Sequence, residues 1–422
     1  MYTVQEVEIN NFWHRLDAKC GFNDNVNIII GRNGTGKTTF MNILHAALTV
    51  DLEELAENDF TSISIKLVKN KKSRLIKVHK SSPVNYAFQS IDYKISNKKY
   101  TLRALPDDAR VPVSFRKRVL EEASEVREHL TELISLSSLS VYRLKNSEDY
   151  EIKDRGGKRL MSPVDFRLMQ LRGEITKYQY ELSLKAREIS TNLQKDVLAS
   201  ILFAESAEIH KGIPSDFDKS KEQLNLFSAY QRLSAFDSSI QKKISSHVNA
   251  VDEALKLIYS NAEQIKEKHF AAMEAYLRTQ RIVDLSLRAE ERTLVIYSEI
   301  NLFTRTLKEF IPDKEFTIFS GELKVFSVAH KNEEIPVSKL SSGEKQLIIL
   351  LAEALLQRGN HFVYLADEPE LSLHIDWQRK ILPAIKKLNP NAQIIAATHS
   401  PEVASKYRGY LIDMKDVVSG RS

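Results

Sequence analysis

Gly31 to Thr38 read G-R-N-G-T-G-K-T, and glycine at 31, 34 and 36 is the spacing of a loop that wraps phosphate. Backbone N–H groups close around an anion only where no Cβ stands in the way, and a helix starting at the end of such a loop adds the favourable end of its dipole. Lys37 is placed to reach β- and γ-phosphates, the Thr38 hydroxyl to hold Mg2+, and Thr39 to complete the turn. The expected phosphate-binding residues are Gly31, Asn33, Gly34, Thr35, Gly36, Lys37, Thr38 and Thr39. The flanks agree with this reading: Asn27 to Ile30 is an apolar β-run and Phe40 to Leu48 a helix.

Far along the chain, the apolar run Phe362 to Ala366 ends in Asp367 and Glu368. An aspartate at a strand end can bind Mg2+ through water, and a glutamate beside it can polarise an attacking water as general base. Glu370 is the reserve candidate for that base, with the poorer spacing. Ile394 to Ala397 reads as the next strand and delivers Thr398 and His399. Between Lys37 and these acids lies L-S-S-G-E-K-Q, Leu340 to Gln346, directly before the apolar helix Leu347 to Leu356.

Holding such distant residues together needs a large core, and 422 residues of which 42% are hydrophobic can supply one. The expectation is one to three domains. No apolar stretch reaches membrane-spanning length and no leader pattern opens the chain. The single cysteine, Cys20, has no partner for an intrachain disulfide, so a cytoplasmic, reducing setting is expected. A net charge of +5 permits contact with DNA without requiring it.

Strands dominate before residue 105. Thr61 to Val68 and Arg74 to His79 alternate around Asn70-Lys71-Lys72-Ser73, and Ile91 to Ile95 pairs with Tyr100 to Arg103 across Ser96 to Lys99. Lys66, Lys69, Lys71, Lys72, Arg74, Lys77 and Lys80 make this region basic, either as edge protection or as a surface for DNA or a partner. Phe115 to Leu139 reads as helix and Leu139 to Tyr142 as a short strand ending in Arg143. Glycine and proline then become sparse. From Val251 the bulky positions 251, 255, 258, 262, 265, 269, 272 and 276 keep heptad spacing, and Leu168, Leu171, Ile175, Tyr178 and Leu182 do likewise. With Lys211-Gly212-Ile213-Pro214 as the turn, the region reads as an antiparallel coiled hairpin plus a helix near Glu299 to Phe310; helices completing a globular lobe are the alternative.

The opening V-x-I-x-N-F, G-R-N-G-T-G-K-T, L-S-S-G-E-K-Q, D-E-P-E-L-S-L-H and A-T-H-S-P together resemble the SMC/RecF/OLD branch of ABC ATPases, and more narrowly the stand-alone AAA-type ATPases of two-gene anti-phage systems such as PARIS or Septu. The resemblance implies an α/β fold: an ABC-type P-loop head, with a mixed sheet, flanking helices and an antiparallel β-subdomain, interrupted by a long helical insertion. The resemblance covers about 1 to 145 and 315 to 412, and with the helical pattern between them the expected division is 1–162 and 314–422 for the two halves of the head and 163–313 for the insertion. It also implies roles. Lys37, Glu368 and His399, the switch histidine, would be catalytic in cis. Ser341 and Gly343 of the signature would cap the γ-phosphate of ATP on a second copy, and Thr38 with Asp367 would hold Mg2+. Leu371-Ser372-Leu373-His374 resembles the D-loop, with His374 where transporters usually carry Asp. Gln89 and Arg143 both stand as Q-loop candidates. Phe12 to Arg15 would lie against adenine or ribose, or pack on the sheet. One phosphate loop and one signature imply a head-to-tail dimer or a higher even homo-oligomer. OLD-type proteins continue past T-H-S-P into a Toprim nuclease, whereas this chain ends ten residues after Ile412, so the implied effector, Toprim or HNH, is separately encoded and answers a phage-protein trigger. A RecF- or SMC-like clamp acting directly on DNA is the alternative.

Overall fold

The structure is a computed structural model that describes residues 1–420 apart from 82–88, 105–112, 139–149, 155–156, 202–216, 234, 261–265 and 331–332. Two strands of alternating burial, β1 (Thr3–Phe12) and β2 (Leu16–Gly21), open the chain, followed by β3 (Val26–Ile30), buried at every position but its last. The phosphate loop leads into α1 (Lys37–Thr49) and α2 (Leu52–Glu57). Two hairpins follow, β4 (Ser62–Lys69) with β5 (Lys72–Ser81) and β6 (Gln89–Ile95) with β7 (Lys98–Ala104). Both turns are tighter than the sequence suggests. Lys69 pairs with Lys72 and Ile95 with Lys98, so each loop has two residues. Asn70 and Lys71 both have positive φ, 46° and 66°, the twist that a two-residue hairpin demands.

Helix α3 (Val113–Leu133) stops short of Leu139, and the strand that follows is β8 (Leu136–Ser138), held beside Val363 to Leu365. The strand expected at Leu139 to Tyr142 lies outside the described residues, as do Arg143 and the turn at Lys211 to Pro214. A small hairpin, β9 (Tyr150–Asp154) and β10 (Gly157–Met161), precedes the helices α4 (Pro163–Ile201), α5 (Lys219–Arg232), α6 (Ser238–Tyr259), α7 (Glu267–Ile296) and α8 (Ser298–Phe310). Next come β11 (Lys314–Phe319), β12 (Glu322–Ser327), β13 (Glu334–Ile335) and α9 (Ser342–Leu356). The chain closes with β14 (Phe362–Asp367), α10 (Ile375–Leu388), β15 (Ala392–Ala397), α11 (Pro401–Ala404), β16 (Leu411–Asp413), α12 (Met414–Val417) and β17 (Val418–Gly420).

Two sheets organise the head. One has the order β16-β3-β15-β14-β8, with every described pair parallel; the other, β17-β2-β1-β4-β5-β6-β7, is antiparallel throughout. Strands β14 and β15 are covered on both faces, which is why Phe362 to Ala366 and Ile394 to Ala397 read as unbroken apolar runs. The antiparallel strands bury only alternate residues, and a single core joins Val7, Ile9, Ile63, Ile65, Ile76, Val78 and Ile91 to Phe40, Ile43 and Leu44 of α1. Lys80, counted among the basic residues, turns inward: its ammonium donates to Ala56 O (2.9 Å) and Asn58 O (2.6 Å).

The chain divides into two compact units, Met1–Thr176 with Glu299–Ser422, and Lys177–Ser298. The second unit is narrower than the expected 163–313 because both ends of that range belong to the head. Arg167 on the first turns of α4 grips Glu353 of α9, and Asp165 meets Lys345 at 2.8 Å. On α8, Phe303, Leu307 and Phe310 are buried, with Phe310 edge-on to Trp377 at 6.2 Å. Within the second unit α5, α6 and α7 pack together around Leu226, Ala229, Ile244, Val248 and Val283. The heptad run expected from Val251 to Tyr276 does not lie on one helix: α6 ends at Tyr259 and α7 starts at Glu267. Val251, Leu255 and Tyr276 share a core across the two helices. The spacing reports only that positions share a face, and two successive helices facing each other satisfy it as well as one long helix does. His269 closes the start of α7, its Nδ1 accepting from Lys266 N at 3.0 Å. Among the described residues no helix is long and apolar enough to cross a membrane.

Candidate functional site

Strand β3 ends at Ile30 and feeds the phosphate loop, while β15 beside it and β14 one strand further in the parallel sheet end at Ala397 and Asp367. Parallel strands finish at the same edge, so residues more than three hundred positions apart in sequence emerge side by side. Ligands of open α/β sheets bind at this carboxyl edge. A cavity of about 380 Å3 opens there, lined by Gly31, Thr398, His399, Ser400 and Arg408 among others.

The loop is shaped from within. Gly34 and Gly36 have φ of 75° and 90°, a left-handed backbone that suits glycine. A Cβ on Gly31 would lie 2.8 Å from the Thr35 hydroxyl, which donates to Arg32 O at 2.8 Å and so folds onto the loop itself. A Cβ on Gly36 would meet the Phe12 ring at 2.8 Å and Trp13 at 3.0 Å. Those two rings stack with centroids 4.9 Å apart, and Phe12 is fully buried. Of the two readings for Phe12 to Arg15, Phe12 is committed to packing, and with the half-buried Trp13 stacked on it buttresses the loop. His14 and Arg15 stay at or near the surface, His14 with Asp59 at 3.0 Å. Asn33 is exposed, and Thr38 and Thr39 are half-buried. No side chain caps α1 and its first turn carries no acid, so its N–H groups keep their capacity for an anion.

Lys37 is 4% exposed and its ammonium donates to Gly31 O at 2.9 Å and Arg32 O at 3.2 Å. Burial draws its pKa down, and the carboxylates of Glu368, Asp367 and Asp413 work against that. No motif marks Asp413, which arrives on β16, beside Ile30.

Burial pushes the Asp367 carboxyl up to about 6; the hydrogen bond from Thr38 opposes this, and the charges of Glu368 and Glu370 reinforce it. One Asp367 oxygen, Oδ1, is buried with no hydrogen-bond partner among the described residues. An orphaned carboxylate oxygen beside a threonine hydroxyl fits a hard, oxygen-seeking dication such as Mg2+, which keeps its other positions for phosphate and water. Glu368 sits at φ 48°, a strained backbone for a residue with a Cβ. Its N–H donates to Ala397 O at 2.8 Å, fastening it to β15. The carboxylate Oε1 lies 3.8 Å from Nε2 of the exposed His399, beyond direct hydrogen-bond reach, so the two groups converge on one space. Glu370, the reserve base, is enclosed instead: 7% exposed, it accepts the Thr398 hydroxyl and the His399 and Ser400 N–H groups.

At the signature, Ser341 caps α9 in a capping box: Ser341 N donates to Glu344 Oε2 at 2.8 Å and Glu344 N to Ser341 Oγ at 3.3 Å. Lys314 holds Glu344 at 2.7 Å. Ser341 and Ser342 remain exposed, whereas Gly343 is buried, because a Cβ on it would lie 2.5 Å from Ser372 O. What Gly343 can present to another molecule is therefore backbone. Ser372 itself has φ 69° and is exposed. His374, in the place of the transporter Asp, caps α10 by accepting from Asp376 N at 3.4 Å. Gln89 opens β6 opposite Ala104, on the outer strands of the antiparallel sheet.

The chain matches the model of the AAA ATPase domain family over residues 3–404. It is 23% identical over 398 residues to the Retron Vc95 probable ATPase of Vibrio cholerae serotype O1 biovar El Tor, covering 90% of this chain and 66% of that protein. The chain thus spans about two thirds of that relative's length. A shorter stretch of 89 residues, 18% of this chain and 22% of the relative, is 35% identical to the Septu protein PtuA of Bacillus thuringiensis. Among solved structures it is similar to the Smc head domain of Pyrococcus furiosus with an extended coiled coil, at a TM-score of 0.42 and 13% identity, covering 100% of this chain and 97% of that one. Because the matched span takes in both halves of the site, from the phosphate loop to the turn that carries His399, the chain belongs to the AAA ATPase domain family.

Proposed function

We propose that the chain binds ATP with Mg2+ and hydrolyses it within a head-to-tail pair of copies, using the cycle as a switch. The observation that carries this reading is the meeting of Lys37, Thr38, Asp367, Glu368 and His399 at one sheet edge, with a buried Asp367 oxygen lacking a partner among the described residues. The loop from Gly31 to Thr39, including Asn33 and Thr35, receives the phosphates, and Lys37 meets their charge. Thr38 and Asp367 hold Mg2+, which when bound neutralises phosphate charge. Glu368 takes a proton from the attacking water as its oxygen bonds to the γ-phosphorus and the bond to the bridging oxygen breaks. His399, beside Glu368, orients that water and the γ-phosphate. Ser341 and the Gly343 backbone, presented at the start of α9 by a second copy, complete the cap.

In the cell, this switch would be the sensor and scaffold of an anti-phage defence system, controlling a separately encoded nuclease of Toprim or HNH type after a phage-protein trigger. Support comes from the motif resemblance and from the likeness to a retron ATPase and to Septu PtuA. The unit Lys177–Ser298 is the proposed place of assembly or effector docking. One observation favours a second reading, a clamp on DNA: Lys77, Lys94 and Lys99 stand in direct cross-strand register, all exposed, and β5 and β6 are not edge strands. Like charges placed directly opposite are destabilising, so a polyanion would be a favourable neighbour.

The test is to purify the tagged Glu368→Gln variant, expressed with its native flanking genes, in ATP and Mg2+, and to weigh the intact complex. An even number of ATPase chains with a small nuclease in fixed ratio is the expected outcome. Recovery of the ATPase alone, with wild-type turnover stimulated by duplex DNA, would transfer the assignment to the clamp. Glu368→Gln should retain ATP binding and lose about 100- to 10,000-fold in hydrolysis; unchanged turnover would remove the base role from Glu368.

A further inference from the structure

Glu370 is a nine-tenths buried carboxylate for which the chemistry above has no use. We infer that Glu370 is a positioning residue that acts on hydrolysis through His399, tying the turn of the switch histidine to the D-loop; this rests on the reading of His399 given above.

The hydrogen bonds point one way. A single oxygen, Oε1, accepts the Thr398 hydroxyl, His399 N at 3.2 Å and Ser400 N at 3.2 Å. These are the donors of the turn by which the chain leaves β15, so the carboxylate sets where the His399 backbone stands and hence where its imidazole faces Glu368. The turn is secured a second time: Ser400 Oγ donates to Gln378 Oε1 at 2.7 Å, and Gln378 Nε2 donates to Leu373 O at 3.1 Å. Both ties lead to residues 370–373, and Ser372 O lies beneath Gly343 of the signature helix. A displacement of the D-loop by a second copy would therefore reach the N–H of His399 through one side chain.

The residue type supports function over scaffolding. A hydroxyl or amide caps a turn at a lower desolvation cost than a carboxylate does. Glu370 also leaves Oε2 buried with no hydrogen-bond partner among the described residues, an arrangement that native proteins seldom keep without a reason. Its Oε1 already accepts three donors and the side chain is enclosed, so it does not itself take the proton of an attacking water.

A double-mutant cycle on the full chain tests this, with kcat, KM and the Kd of a fluorescent ATP analogue as readouts. Losing hydrogen bonds to a charged group predicts a fall in kcat of about 10- to 100-fold for Glu370→Ala, with Kd changed by less than about twofold, as expected of a residue that acts on the transition state. Glu370→Gln keeps an acceptor in place and should recover to within about threefold of wild type. In a His399→Ala background, Glu370→Ala should change kcat by less than about twofold, because the two act as a unit. If the alanine variant does not fold, Thr398→Val, which keeps the shape but removes the hydroxyl that donates to Glu370 and accepts from Ser400 N at 2.9 Å, should give a smaller fall of the same kind. Additive losses, a loss expressed in Kd, or a glutamine variant as inactive as alanine would overturn the proposal. A normal kcat for His399→Ala would overturn the underlying reading with it, whereas an impaired His399→Ala beside a normal Glu370→Ala would overturn only the positioning role.

Discussion

Replacing Asp367 by asparagine should make the protein more stable and inactive at once. Burial at the end of β14 pushes this carboxyl up to about 6. An acid whose pKa is higher in the folded than in the unfolded chain binds more protons when folded, so stability falls as pH rises between the two values and is flat above the upper one. A difference of about 2 in pKa, at ~1.4 kcal/mol for each, is about 3 kcal/mol; the partial solvent access of Asp367 trims this to about 2 kcal/mol. Asparagine can accept the same bond from Thr38 without carrying the charge. The head unit has roughly 300 residues, so at about 2 cal/mol/K of unfolding entropy per residue the gain is about 3–5 °C in Tm. The assay is thermal unfolding of both proteins in EDTA, without nucleotide, across a pH series. The difference should be full at about pH 7 and above, and shrink to about a third near pH 4.5 as the wild-type carboxyl takes up its proton. A difference that is absent, reversed or independent of pH would refute the reasoning. Mg2+ must displace the same proton, so wild-type Mg2+ affinity should decline as pH falls through about 6.

Three further outcomes follow from the packing. Gly36→Ala forces a Cβ to within 2.8 Å of Phe12 at φ +90°; strain and overpacking of about 2–4 kcal/mol should lower Tm and weaken ATP binding measurably by calorimetry, and unaltered affinity would show that the loop does not depend on its aromatic buttress. Gly343→Ala drives a Cβ against Ser372 O at 2.5 Å; ATP binding to the isolated chain should survive while ATP-driven pairing, read by light scattering, is lost. Arg167→Ala removes the guanidinium that donates twice to the buried Glu353; urea unfolding should register a loss of about 3–5 kcal/mol, partly recovered when Glu353→Gln is added.

Much of the site is legible without coordinates because its chemistry demands rare residue types at short spacing. Glycine at 31, 34 and 36 suits a loop whose backbone must approach phosphate, and the short apolar run before Asp367 reads as a strand covered on both faces, as β14 is. Other features are invisible in one dimension. Phe12 and Trp13 read equally as sheet packing or as contacts to a base, and only the structure shows the Phe12 ring buried beneath Gly36. The seam from Val251 to Tyr276 looks continuous, although a break between α6 and α7 divides it, since periodicity records facing and not connectivity. Glu370 stands two residues from Glu368, so proximity along the chain made it a second base; burial and three donors on one oxygen make it a tether.

The sequence by itself pointed to the kind of chemistry proposed, phosphate gripped by backbone and a metal met by a hydroxyl and a carboxylate, because those functions reside in residue types and local spacing. The tertiary structure alone decided that Glu370 is enclosed while Glu368 faces His399, why Asp413 joins the charge around Lys37, and where the helical unit begins. These depend on burial and on approach between segments hundreds of residues apart, and parallel strands ending at a common edge bring about both.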